Sequence, residues 1–160
     1  MKYLVDGNNL IYKFPHLEQF MYGESMENAR SGLVQLLAEF AEKSRKDEII
    51  LFFDGWKDKQ SAVDTETIGK IRIYYSCRHK ADDLIKDYIK MSATLSDLCV
   101  TTSDKDILFF AKRFKIQSYT SEAFAKFILD LLSSEEADAE EAAIEEIKKD
   151  SGFWQKLFKL

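Results

Sequence analysis

KYLVDGNNLIYKFP, residues 2–15, opens on a short apolar run and breaks at once into Asp6-Gly7-Asn8-Asn9. Leu4 and Val5 read as a buried strand at the start of the chain. Glycine and asparagine suit a tight turn, because both tolerate backbone conformations closed to most residues. The turn has no need of an aspartate. Asp6 is either local turn chemistry or one member of a group of acids, and the rest of the chain decides whether such a group exists.

Four more apolar runs read as strands: 49–53 (IILFF), 71–75 (IRIYY), 98–101 (LCVT) and 116–119 (IQSY). Helix-period segments lie between them, with apolar positions 26, 29, 33, 36, 37, 40 and 41, then 84, 85, 88 and 89, then 107, 108, 111 and 114. A last body helix is expected from about Glu122 to Leu132, capped by Thr120 or Ser121. Alternating strands and helices imply an α/β three-layer sandwich: a five-stranded, mostly parallel sheet with helices on both faces. Only the third strand alternates, with Arg72 between Ile71 and Ile73, so it is expected at an edge. Residues 54–70 are polar and read either as a mobile loop at the mouth of the sheet or as a short extra helix.

In a doubly wound sheet, ligands bind at the C-terminal ends of the strands. An aspartate follows three of the five strands there: Asp6, Asp54 in LFFDG, and Asp104 in VTTSDKD. Asp82 and Asp83 open the helix after the third strand. Each has a plain explanation. Acids stabilise the first turn of a helix, Ser103 and Asp106 match a capping box, and Asp-Gly pairs make turns. Together they are harder to dismiss, because carboxylates gathered on one rim repel one another and call for a cation. Carboxylates with the amide of Asn8 and the hydroxyls of Thr102 and Ser103 suit Mg²⁺ or Mn²⁺, not Zn²⁺. Such a site serves phosphate-ester chemistry. No serine or cysteine nucleophile set and no glycine-rich phosphate loop is evident.

The chain has 160 residues, 46% of them apolar and 13% aromatic, enough for one substantial core. Cys77 and Cys99 are expected to be reduced thiols. No run is apolar enough to span a membrane, and a soluble cytoplasmic protein is the expectation. The formal charge of −5 is unevenly spread. Residues 134–150 hold eight acids against two lysines, and the last ten residues add two lysines, which leaves residues 1–133 at −1. Overall acidity is therefore weak evidence against a nucleic-acid partner. The chain divides at this level into a body, residues 1–132, and a C-terminal appendage, residues 133–160. The appendage joins an acidic helix to the tail SGFWQKLFKL, which either packs its aromatics on the body or docks a partner.

In order, YLVDGNNLIYKFP, ILFFDGW, ADDLIKDYI, VTTSDKDI and IQSYTSEAFAKFI resemble the blocks of the NYN domain, a PIN-like nuclease family. The match is closest to its small bacterial YacP-like branch and covers residues 2–132. The resemblance implies a PIN-like sheet between helices, a metal-dependent acidic pocket, and endonucleolytic cleavage of RNA to 5′-phosphate and 3′-hydroxyl ends. By position it makes Asp6 the central metal ligand, with Asp83, Asp104 and Asp106 as the other carboxylates. Asn9 shapes the pocket, with Asn8 beside it. Asp82 and Asp83 are adjacent and point in different directions on a helix, so one of them only caps. Asp54 is either a ligand or an orienting group for water or a loop. Arg78, Lys80 and Lys105 stand where they can grip backbone phosphates, although basic loop residues are more often simply solvated. An acidic protein of this kind is expected to meet RNA held by another particle, such as a ribosome. The alternatives are a non-catalytic RNA- or ribosome-binding module and a phosphatase on a similar sheet, although the latter's usual Asp-x-Asp is broken here by Asn8.

Overall fold

The structure is a computed structural model that describes residues 1–23 and 25–134. The elements run β1 (Lys2–Asp6), α1 (Gly7–Ile11), α2 (Pro15–Glu18), a 3-10 turn (Gln19–Tyr22), α3 (Met26–Lys43) and β2 (Glu48–Phe53). They continue β3 (Thr65–Ile68), β4 (Ile71–Tyr75), α4 (Ala81–Met91), β5 (Leu98–Thr101), α5 (Lys105–Arg113) and β6 (Gln117–Tyr119). Residues 121–134 are helical and form α6 as far as the chain is described. The chain divides into two compact units, Met1–Lys126 and Phe127–Leu160. The acidic helix and aromatic tail read for residues 135–160 lie outside the described residues.

The sheet has six strands in the order β3-β4-β2-β1-β5-β6. β4, β2, β1, β5 and β6 pair in parallel, and β3 pairs antiparallel to β4. The expected five-stranded sheet is thus a mixed six-stranded one. β3 lies in the segment read as loop or helix, joined to β4 by the two-residue turn Gly69-Lys70 with Gly69 at φ +58. Its exposure, apart from a half-buried Glu66, removed the apolar signal that marks the other strands. β3 also displaces β4 from the edge. β4 alternates because Arg72 points to solvent while Tyr74 packs on Phe52, their rings 5.5 Å apart.

Each strand feeds two faces, since successive side chains point to opposite sides. On one face Leu4, Ile50, Phe52, Leu98 and Val100 pack under α4 and α5 through Ile85, Ile89, Ile107 and Ala111. On the other, Tyr3 meets Phe40 of α3 at 5.9 Å and Phe124 of α6 at 5.2 Å. Phe40 and Phe124 close this ring cluster at 5.6 Å. Thr120 caps α6, its hydroxyl accepting from the Ala123 N–H at 3.1 Å. Both cysteines are free thiols, and burial pushes that of Cys99 up to about 12.

Gly7 is needed for close approach, not for a turn. α1 begins at Gly7 itself, and a Cβ there would lie 2.6 Å from the Phe53 ring and 2.9 Å from the Phe52 carbonyl oxygen. The carbonyl belongs to a ladder strand and has no freedom to retreat. Gly7→Ala is expected to cost about 1–3 kcal/mol, read as a lower urea midpoint. Gly23→Ala, where nothing lies within 4 Å of the added atom, should leave the midpoint unchanged.

Candidate active site

β1 is flanked by β2 on one side and β5 on the other, so the chain leaves β1 in one direction and returns on the other side. In open α/β sheets such a switch point is where the ligand crevice lies, at the C-terminal ends of the strands. The alternation that puts Leu4, Ile50, Phe52 and Val100 on the α4/α5 face continues to Asp6, Asp54 and Thr102. The same face therefore receives the strand-end acids and the N-termini of α4 and α5, which carry Asp82, Asp83 and Asp106.

Asp6 is buried, with 5% of its surface exposed. Its Oδ2 accepts from the Asn9 side-chain amide and, at 2.9 Å, from the Thr102 hydroxyl. Burial raises the Asp6 pKa above its ordinary 3.8; the hydrogen bonds oppose the rise and the Asp54 charge adds to it. Thr102 Oγ1 in turn accepts the Asp104 N–H at 3.1 Å. Asp104 is the N-cap of α5, its Oδ1 accepting the Asp106 N–H at 2.8 Å. The expected capping box of Ser103 and Asp106 does not form. The Ser103 hydroxyl instead donates to Glu122 Oε2 at 3.0 Å and accepts the Ser121 N–H at 3.2 Å. Glu122 also pairs with Lys13 at 2.7 Å, and that bond foremost holds its carboxyl down at about 2.

Asp54 has a structural task as well. Its Oδ1 accepts the Ala81 N–H at 2.7 Å and so ties the first turn of α4 to the exit of β2. Its own N–H reaches Asn8 Oδ1 at 3.3 Å. Arg30, absent from the sequence reading, holds this exit from beneath. The guanidinium is buried, donates to the Trp56 carbonyl at 2.7 Å and the Asp54 carbonyl at 2.5 Å, and lies 5.0 Å from the Phe53 ring centre. A lone arginine on the apolar face of α3, beside Ala29 and Leu33, is the signal that marks it.

A second gap in the sequence reading is Lys86, on α4. Its ammonium pairs with Asp106 and is raised first by that hydrogen bond, with Asp82 and Asp83 contributing by charge. The acids thus fall into two groups. Asp6 and Asp54 interact across the switch point, while Asp82, Asp83 and Asp106 share Lys86; Asp104 and Thr102 link the groups. Among the described residues no three acids, histidines or cysteines come together as a ready metal cluster. Part of the neutralisation that the sequence reading gave to a metal is done by Lys86. Arg78, His79 and Lys80 are exposed in the loop before α4, and Lys105 is exposed at the start of α5, on the two sides of the crevice.

Residues 3–156 match the model of the YacP-like NYN domain. The chain belongs to the YacP-like NYN family. The crystal structure of Rae1 (YacP) from Bacillus subtilis has a TM-score of 0.71 at 19% identity, over 99% of this chain and 91% of that one. Its W164L mutant gives 0.71 and 19%, over 89% and 83%. At that identity the likeness speaks for the fold. No curated protein matches the sequence. Among the described residues no helix of this NYN chain is long and apolar enough to cross a membrane.

Asp6, Asp54 and Asp104 would meet a cation with carboxylate oxygens. Both side-chain donors to Asp6 use Oδ2, and the bonds at Asp54 and Asp104 each use Oδ1, so each carboxylate keeps an oxygen that no other side chain holds. That donor set fits a hydrated Mg²⁺ or Mn²⁺, which is commonly held by one or two carboxylates with water filling the other positions.

Because the folded state raises the Asp6 pKa, it binds that proton more tightly than the unfolded chain does. Ionisation of Asp6 therefore costs stability. The cost is absent below the unfolded value of 3.8 and grows as pH rises through the raised folded value. In EDTA, Asp6→Asn is expected to raise the melting temperature by a few degrees at pH 7, with a smaller gain near pH 4. Parallel thermal melts of the two proteins read this directly, and equal melting at pH 7 would contradict it.

Proposed function

We propose that this chain is a metal-dependent endoribonuclease that hydrolyses RNA phosphodiester bonds. Membership of the NYN family supports a nuclease-type function in general, with RNA as the partner class. The observation that carries the finer reading is the buried Asp6 carboxylate at the switch point. It is desolvated yet supplied with donors that favour its charged form, as a ligand awaiting a cation requires.

In this reading Asp6 and Asp104 hold the ion, and Asp83 and Asp106 extend the acidic rim. When bound, Mg²⁺ or Mn²⁺ polarises the scissile phosphate and lowers the pKa of the attacking water. The donors on Asn9 and Thr102 favour the charged form of Asp6 against its burial and fix the carboxylate in place. Asp54 orients the first turn of α4 through Ala81, and with it Asp82 and Asp83. Arg78, Lys80 and Lys105 hold backbone phosphates on either side of the scissile bond. Residues 1–132 form the nuclease domain, and residues 133–160 are an appendage that docks a partner or packs on the body. The body is slightly acidic, which supports RNA already engaged by a ribosome as the substrate, and the cytoplasm as the site of action.

The test is cleavage of end-labelled RNA with Mg²⁺ or Mn²⁺, naked and ribosome-bound, by the wild-type chain and by Asp6→Asn. The expected result is cutting that EDTA abolishes and that Asp6→Asn lowers at least about a hundredfold, with ribosome-bound RNA cut faster than naked RNA. A second reading, a non-catalytic RNA- or ribosome-binding module, is favoured by Lys86, whose charge already offsets Asp82, Asp83 and Asp106. No cutting of either substrate by a folded protein that also fails to bind Mn²⁺ would decide for it.

A further inference from the structure

The exposed side of α5 continues away from the acidic crevice as a groove of about 520 Å³ between α5 and the segment running into α6. Lys105, Phe109, Lys112, Lys115, Ser118 and Thr120 line it. The spacing 105, 109, 112 places one turn of helix between each cation and the aromatic ring. Phe109 is 63% exposed, an unusual position for a large apolar ring on a short helix whose other side is fully occupied by Ile107 and Ala111. Among the described residues none of the three lysines makes an ion pair, and no carboxylate lines the groove.

Lys115 adds an independent observation. α5 ends in a Schellman arrangement: the Ile116 N–H donates to the Ala111 carbonyl at 2.9 Å and the Lys115 N–H to the Lys112 carbonyl at 3.0 Å. This puts Lys115 at φ +57, the left-handed position where glycine is favoured. The chain carries a cation at a place where its backbone would be relaxed by having none.

We infer that this groove is a track for single-stranded RNA, with Lys105, Lys112 and Lys115 on successive phosphates and one base stacked on Phe109. The inference rests on the nuclease reading for its direction, since the groove leads to Asp104 and Asp106 through Lys105. Three cations with no ion pair among the described residues, set around an exposed ring in a groove that no carboxylate lines, complement an unpaired strand, which offers both phosphates and open base faces. A duplex offers phosphates but keeps its base faces stacked.

Binding is measured by fluorescence anisotropy on the full chain carrying Asp6→Asn, with a labelled single-stranded RNA of about ten nucleotides and the same sequence as a duplex. Combining Lys105→Ala, Lys112→Ala and Lys115→Gly should flatten the dependence of log affinity on log salt by about 2, at roughly 0.7 per phosphate. Lys115→Gly alone should weaken binding while raising thermal stability, which separates loss of contact from loss of fold. Phe109→Ala should weaken single-strand binding about tenfold or more, leave the salt slope and duplex binding unchanged, and be rescued by Phe109→Trp. With Asp6 restored, Phe109→Ala should raise KM at unchanged kcat.

Unchanged affinity and slope in the lysine and Phe109 variants would overturn the track while leaving cleavage, and so the nuclease reading, intact. Absence of salt-dependent RNA binding by the parent protein would overturn it too, as would variants that lose only self-association in light scattering. If RNA is never cut but the variants still lose binding as described, the track stands and the nuclease reading fails.

Discussion

A carboxylate buried at the meeting of β1, β2 and β5 is the constraint on which the rest of this structure turns. Desolvating an ionised group is costly unless donors replace the lost water. Asp6 draws its side-chain donors from Asn9, one turn along the chain, and from Thr102, at the exit of a strand 96 residues away. The Thr102 hydroxyl has one proton. Giving it to Asp6 leaves the oxygen free to accept the Asp104 N–H, and Asp104 in turn caps α5. The start of α5 is thereby fixed relative to β1 by an unbroken line of hydrogen bonds, each polarised in the same sense.

The four residues of DGNN divide this work. Asp6 supplies the charge. Gly7 lets α1 lie directly on β2, where no Cβ fits. Asn8 reaches across to the Asp54 N–H, and Asn9 turns back to Asp6. Asp54 then ties α4 to β2 through Ala81, while Arg30 supports the same strand exit from the opposite face. α4 is thus registered against the exit of β2 by Asp54 with Asn8, and α5 against the end of β1 by Asp6, Thr102 and Asp104. In such an arrangement, losing one amide would tilt a helix as well as expose a charge.

Much of this was legible because it follows from periodicity. β1, β2, β4 and β5 and helices α3 to α6 announce themselves through apolar runs, alternation or a helical stripe, and the exposed β6 through the buried Ile116 that precedes it. β3 did not, because its four residues are largely exposed and their Thr-x-Thr pattern is short; the Gly69-Lys70 turn before Ile71 was its available signal. At the site, residue types and strand-end positions were readable, but pairing was not. Nothing in TTSDKD says that Ser103 turns to Glu122 while Asp104 takes the cap. Nor does a lysine in the middle of DDLIKDYI announce a partner 20 residues away. Such contacts depend on how two helices approach, which a single sequence encodes only through the packed sheet beneath them.

Lys86 also bears on how an acidic chain can engage a polyanion. Its charge is committed inward, to Asp106 with Asp82 and Asp83 behind it, so it lessens repulsion within the rim and offers little to an incoming phosphate. Asp83 and Asp106 are themselves exposed and would repel one. Attraction has to come from cations that face away from the rim acids. The loop before α4 carries Arg78 and Lys80, and α5 with its C-terminal turn carries Lys105, Lys112 and Lys115, so the crevice is acidic between two basic shoulders. At a separation near the Debye length of about 8 Å, shoulders of this kind act on phosphates locally and are indifferent to the net charge of the whole chain. A negative total is therefore compatible with a strand laid across the crevice, provided that the phosphate over Asp6 arrives with its neighbours already held.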